Sequence, residues 1–159
     1  MTKHLLFKAI VAALQAELDT FTRAANAARA EATDPQSRAE HKYDTRGLEA
    51  SYLAAGQARQ VAELEAAIAA FRILPVRKFG AAEAIELGAF VELERGGERT
   101  AYLLGPCAGG TEVVVSRRAV LVITTQSPLG SQLQGRKAGD QFELSVGGKR
   151  QRARVVSVG

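Results

Sequence analysis

Two hydrophobic periodicities divide this chain. From about residue 3 to residue 72, apolar side chains recur at helical spacing. Leu14, Leu18, Phe21, Ala25 and Ala28 step by four, three, four and three, and Phe7 and Ile10 extend the stripe with one slip in register. Leu48, Tyr52 and Ala55, then Val61, Leu64, Ile68 and Phe71, repeat the same spacing. Neither segment can bury its stripe alone, so the two are expected to pack as an antiparallel pair. Alanine at contact positions permits close approach and favours the helical state itself. Asp34-Pro35 is an N-cap and first-turn pair that would start the second helix near 35, and Asp44-Thr45 offers a second cap. Residues 36–47 carry little apolar patterning, so the pattern predicts a helix to about 32, a polar tip within 33–47 and a helix to about 72.

From Pro75 onward the period becomes that of strands. Residues 90–94 and 99–104 flank Gly96-Gly97; 113–115 and 120–124 follow a Gly- and Pro-containing loop. A short helix at 128–134 precedes a strand at 141–146, and Gly147-Gly148 turns it into 150–158. The expected fold is therefore α+β. An antiparallel helical hairpin, residues 1–74, precedes an antiparallel sheet with one short helix, residues 75–159, and Pro75 marks the boundary.

Composition narrows the class. At 159 residues, 47% hydrophobic and 24% charged, the chain can bury a core. Its apolar runs are too short to span a bilayer, and Lys8 with Glu17 and Asp19 argues against a signal peptide over 5–14. Cys107 is alone, which excludes an internal disulfide framework and fits a reducing cytoplasm. The net charge of +4 lies wholly in the C-terminal half, where Arg150, Arg152 and Arg154 alternate onto one side of a strand. Such a stripe could approach phosphates or an acidic protein surface, or simply be a solvated face. No zinc-ligand spacing or helix-turn-helix cue is present, so sequence-specific nucleic-acid recognition is not expected.

The most specific stretch is Ser-Pro-Leu-Gly-Ser-Gln-Leu-Gln-Gly-Arg-Lys-Ala-Gly-Asp at 127–140. Ser127 can cap a helix, Pro128 suits its first turn, and Leu129 and Leu133 would share a face. Gly135 can supply a left-handed stop and Gly139-Asp140 a tight turn into the next strand. This run resembles the C-terminal domain of the bacterial Gre transcript-cleavage factors, which bind RNA polymerase. Ile123, the Gly147-Gly148 turn, and less closely Val76, Phe79-Gly80 and Tyr102, extend the likeness; Tyr52, Ala54-Ala55 and Gln57 resemble the family stretch just after the hairpin tip.

The resemblance implies an N-terminal coiled coil and a C-terminal domain like the FK506-binding proteins, docked on the rim of the polymerase secondary channel with the hairpin inside it. Polymerase docking would fall to Ser127, Pro128, Leu129, Gly130, Arg136, Lys137 and Asp140. Tip carboxylates in that family complete a second magnesium site in the polymerase. The candidates here are Asp44, Glu49 and Glu40, with Asp44 the metal ligand, and only in the polymerase complex. The two family acid positions, seven and four before Tyr52, hold Thr45 and Leu48, with acids one residue away at Asp44 and Glu49. Asp34 before proline is most simply a helix cap and Asp44 could cap the later helix; His41 reads as polar surface, and Lys42 and Arg46, which flank Asp44, could touch RNA or polymerase or serve solubility alone.

The implied protein is a cytoplasmic accessory factor, with no catalytic residues of its own. It would bind no cofactor alone, sharing Mg2+ with the polymerase if it promotes cleavage. The partner is RNA polymerase, RNA is contacted only inside that complex, and neither a membrane nor a small-molecule substrate is expected. The alternative is a secondary-channel regulator that competes for the same site without promoting cleavage. A prolyl isomerase would need an aromatic-lined pocket, and the C-terminal half has no Trp and few Phe or Tyr.

Overall fold

The computed structural model describes residues 1–33, 35 and 46–159, with the side chains of 32 and 46–54 outside the description. Two long helices, α1 (Lys3–Thr33) and α2 (Arg46–Ile73), precede six strands and one short helix. The strands are β1 (Phe90–Arg95), β2 (Glu98–Gly105), β3 (Glu112–Val115), β4 (Arg118–Thr124), β5 (Gln141–Val146) and β6 (Lys149–Val158), with α3 (Pro128–Leu133) between β4 and β5. Contacts divide the chain into two compact units, Leu14–Ala69 and a second made of Met1–Ala13 with Ala70–Gly159. Among the described residues no helix is long and apolar enough to cross a membrane.

In the helical unit Leu14, Ala25 and Ala28 of α1 and Leu64, Ala67 and Ile68 of α2 are buried, while Leu18, Phe21 and Val61 are half-buried. Ala55, expected on the stripe, is exposed, and Gln57 is half-buried instead. The reason is register. Counting back from Phe71 through Ile68, Leu64 and Val61 in steps of three and four reaches Gln57, whereas Ala55 lies six residues before Val61. An amide therefore occupies a stripe position, and its Oε1 is buried without a hydrogen-bond partner among the described residues.

The sheet has the order β3-β4-β2-β1-β6-β5. It is mixed, which corrects the all-antiparallel expectation: β2 and β4 pair in parallel, Tyr102 opposite Leu121 and Leu104 opposite Ile123. After β2 the loop at 106–111 carries the chain past the position of β4 to form β3 at the edge. The β3–β4 hairpin then brings β4 back beside β2, so two reversals separate the neighbours and they run the same way. The other four pairings are antiparallel.

One face of the sheet carries Val91, Leu93, Tyr102, Leu104, Ile123, Phe142, Leu144, Ala153 and Val155, packed with Leu133 of α3 and with Phe79 and Ile85. On the opposite face Leu103, Val120 and Val122 are fully buried. Phe71, at the end of α2, belongs to this unit. A Cβ built on Gly105 would stand 2.9 Å from the Phe71 ring and 2.8 Å from Val122 Cγ1, so the strand accommodates the ring by having no side chain there. Phe7 meets Phe71 edge-on at 6.2 Å, and Leu6 and Ile10 beside it are fully buried.

Candidate functional site

The segment from Ser127 to Asp140 is built as its residues suggest. The Ser127 hydroxyl accepts the Gly130 N–H at 3.0 Å, the N-cap bond, and donates to the Thr124 carbonyl at 2.7 Å. One side chain thus ties the start of α3 to the end of β4. Pro128 follows where its missing N–H costs nothing. Gly130 has a stronger requirement: a Cβ there would lie 1.8 Å from the Thr124 carbonyl oxygen, so only glycine permits this seating of the helix. Leu133 is fully buried in the sheet core, and Leu129 packs against that core.

After α3 the backbone turns through Gly135 and Gly139, both with positive φ, +85° and +91°. Gly135 donates to the Ile85 carbonyl at 2.8 Å, and Ile85 donates back to Arg136 at 2.7 Å. Gly139 donates to Val155 at 2.7 Å, and Asp140 accepts from the Val155 N–H at 2.9 Å. The Asp140 carboxylate closes its own turn on the Lys137 N–H at 2.8 Å. Arg136 is held twice over. Its Nε donates to the Gln132 carbonyl at 2.6 Å, and its guanidinium lies 4.4 Å over the Phe142 ring.

These contacts separate the docking candidates into two groups. Ser127, Leu129 and Gly130 are half-buried or buried and act by positioning α3. Pro128, Lys137 and Asp140 are exposed, and Arg136 is half-buried with its head fixed. Sequence reading missed Ser131, Gln132 and Gln134, which together with Gly135, Arg136 and Asp140 line an open groove of about 540 Å³. Exposed polar residues on a six-residue helix look the same in sequence as ordinary solvated surface, and only the turn that follows makes them a wall. Chemically the groove offers amide and hydroxyl groups, one fixed cation and one carboxylate: a recognition surface.

The arginine strand falls on one face as expected, but it is answered across the sheet. Arg154 lies 3.5 Å from Glu94, Arg150 lies 4.0 Å from Glu143, and Arg152 stands opposite Glu143 in the β5–β6 register. Arg118 pairs with Glu92, which also accepts from Ser157 at 2.9 Å. Interleaved glutamates make this a solvated charged face. The tip residues Asp34, Glu40, His41, Lys42 and Asp44 lie outside the described residues; Glu49 and Arg46 are in α2, with their side chains outside the description.

Residues 81–159 match the family model described as the C-terminal domain of the GreA/GreB transcription elongation factors. Among solved structures, GreA factor homolog 1 (Gfh1) of Thermus thermophilus is 25% identical, covering 96% of this chain and 96% of that one, with a TM-score of 0.39. Gfh1 of Thermus aquaticus is 26% identical over 95% of this chain and 94% of that one, TM-score 0.41. A GreA/GreB elongation factor from Nitrosomonas europaea is 24% identical over 62% and 78% of the two chains, TM-score 0.38. No curated protein matches the chain.

Proposed function

We infer that this chain, which belongs to the GreA/GreB family of transcription elongation factors through its C-terminal domain, binds RNA polymerase through the α3 segment and presents its helical region to the secondary channel. The observation that carries the reading is the construction of residues 127–140, which lie within the matched region. Half-buried Ser127 and buried Gly130 and Leu133 fix the segment, and Pro128, Gln132, Lys137 and Asp140 are left outward as contact groups. A surface whose supporting bonds are all satisfied internally loses little entropy on docking. The protein acts as an accessory to a reaction that is the polymerase's own.

The test uses the full chain. Core RNA polymerase is captured on wild type and on Lys137→Glu combined with Gln132→Ala. The double variant should bind about tenfold more weakly; unchanged capture would refute docking through α3.

A second reading rests on the tip. With Thr45 and Leu48 at the family acid positions, the chain favours a channel occupant that leaves transcript cleavage unstimulated. On the cleaving reading Asp44, with Glu49 or Glu40, supplies oxygen donors for a magnesium ion shared with the polymerase. A backtracked elongation complex with labelled RNA separates the two. Cleavage by wild type that is lost in Asp44→Asn supports the cleaving factor, whereas binding without RNA release supports the competitor.

A further inference from the structure

A second pocket, of about 630 Å³, lies in the sheet-bearing unit, far along the chain from the groove described above. Residues 1–4 and Leu6 at the start of α1, the 76–79 segment, the first residues of β1 and β4, and Gly159 just after β6 line it. Its lining includes the cations Lys3, Arg77, Lys78 and Arg118 and the rings of Phe79 and Phe90, with no Asp or Glu side chain. The acids that pair with Arg77 (Glu83 at 2.9 Å and Glu86 at 3.5 Å) and with Arg118 (Glu92) are not part of the lining.

Two like charges share one ring. The Arg77 guanidinium lies 3.7 Å from the Phe79 centroid and the Lys3 ammonium 4.6 Å from it. The ammonium donates to the oxygens of Arg77 at 2.6 Å and Gly159 at 2.8 Å, leaving one of its three N–H groups over. Half-burial, and then the neighbouring guanidinium, bring the Lys3 pKa down from 10.5 to about 8. A carboxylate arriving here would offset both the lost solvation and the repulsion. Half-buried Phe90 and Val76 supply apolar contact next to the charges.

We propose that this pocket is a docking site for a short peptide segment of a protein partner in which acidic and apolar residues alternate. Charge complementarity selects the acidic residues, and the apolar walls between spread cations select their neighbours. A compact inorganic anion would instead call for donors converging on one point. The volume is in the range of sites that hold drug-sized groups, room for two or three side chains.

The experiment is fluorescence anisotropy on the full chain with a fluorescein-labelled peptide of alternating Glu with Leu or Phe, against the same peptide with Lys in place of Glu. The acidic peptide should bind and the basic one should not. Lys78→Glu, on the exposed rim, and Lys3→Gln should each weaken binding by about fivefold. Arg152→Glu, the same kind of charge change on the remote sheet face, should leave it unchanged. Absence of binding, equal weakening by Arg152→Glu, or equal competition by inorganic phosphate would each overturn the proposal. None of these outcomes depends on polymerase binding.

Discussion

Gly130 and Gly56 both sit inside helices, one in the sheet-bearing unit and one in the helical unit, and a methyl group would meet opposite surroundings at the two positions. At Gly130 it would run into the Thr124 carbonyl, which is backbone at the end of a central strand and cannot step aside. At Gly56 nothing among the described residues stands within 4 Å of the added atom. The sheet-bearing unit is specified by close approaches that only one residue type permits. The helical unit is specified by a stripe of alanines and leucines, a looser condition that many sequences satisfy.

The largest effect that comparison predicts is at α3. Gly130→Ala should cost about 3–5 kcal/mol, because either the helix lifts off β4 or the strand end distorts. Urea unfolding followed by circular dichroism measures it, and under the docking proposed above polymerase capture should weaken with it. A cost within error of zero would mean that α3 is not seated on β4 in this way.

How much of this was legible in the sequence follows the same division. The cap at Ser127, the proline after it and the left-handed glycines at 135, 139, 147 and 148 were readable, because each is a local requirement of backbone geometry. The reason for Gly130 was not, since the clashing carbonyl belongs to a strand six residues back. The β3–β4 turn was likewise silent: Ser116 and Arg117 adopt φ of 52° and 64° with no glycine or asparagine to announce it. Arg136 looked like one more basic residue until the fold put Phe142 under it. In the helical unit the stripe near Phe71 was legible. Its continuation was lost at Gln57, where a polar residue takes an apolar position.

A smaller effect sharpens the sheet side of the comparison. Ser127→Ala should cost about 1–2 kcal/mol through loss of the cap to Gly130 and of the bond donated to Thr124. Ser127→Asp separates the two, because an ionised carboxylate still accepts from the Gly130 N–H but has no proton for the Thr124 carbonyl. The aspartate variant should fall between wild type and alanine in urea midpoint. If it matches wild type, the cap alone holds the junction.

The smallest effect is on the helical side, and it has the opposite sign. Gly56→Ala removes the backbone freedom that glycine has in the unfolded chain and places a methyl group where the described residues leave room. α2 runs unbroken from Arg46 to Ile73 through this position, so the change needs no new backbone conformation. Stability should rise by about 1 kcal/mol, the usual difference between the two residues in a helix interior. Thermal unfolding at 222 nm gives the direct comparison with wild type. A loss of stability would show that Gly56 is held by a close approach, as Gly130 is, and the contrast between the two units would fail at the position where it is drawn.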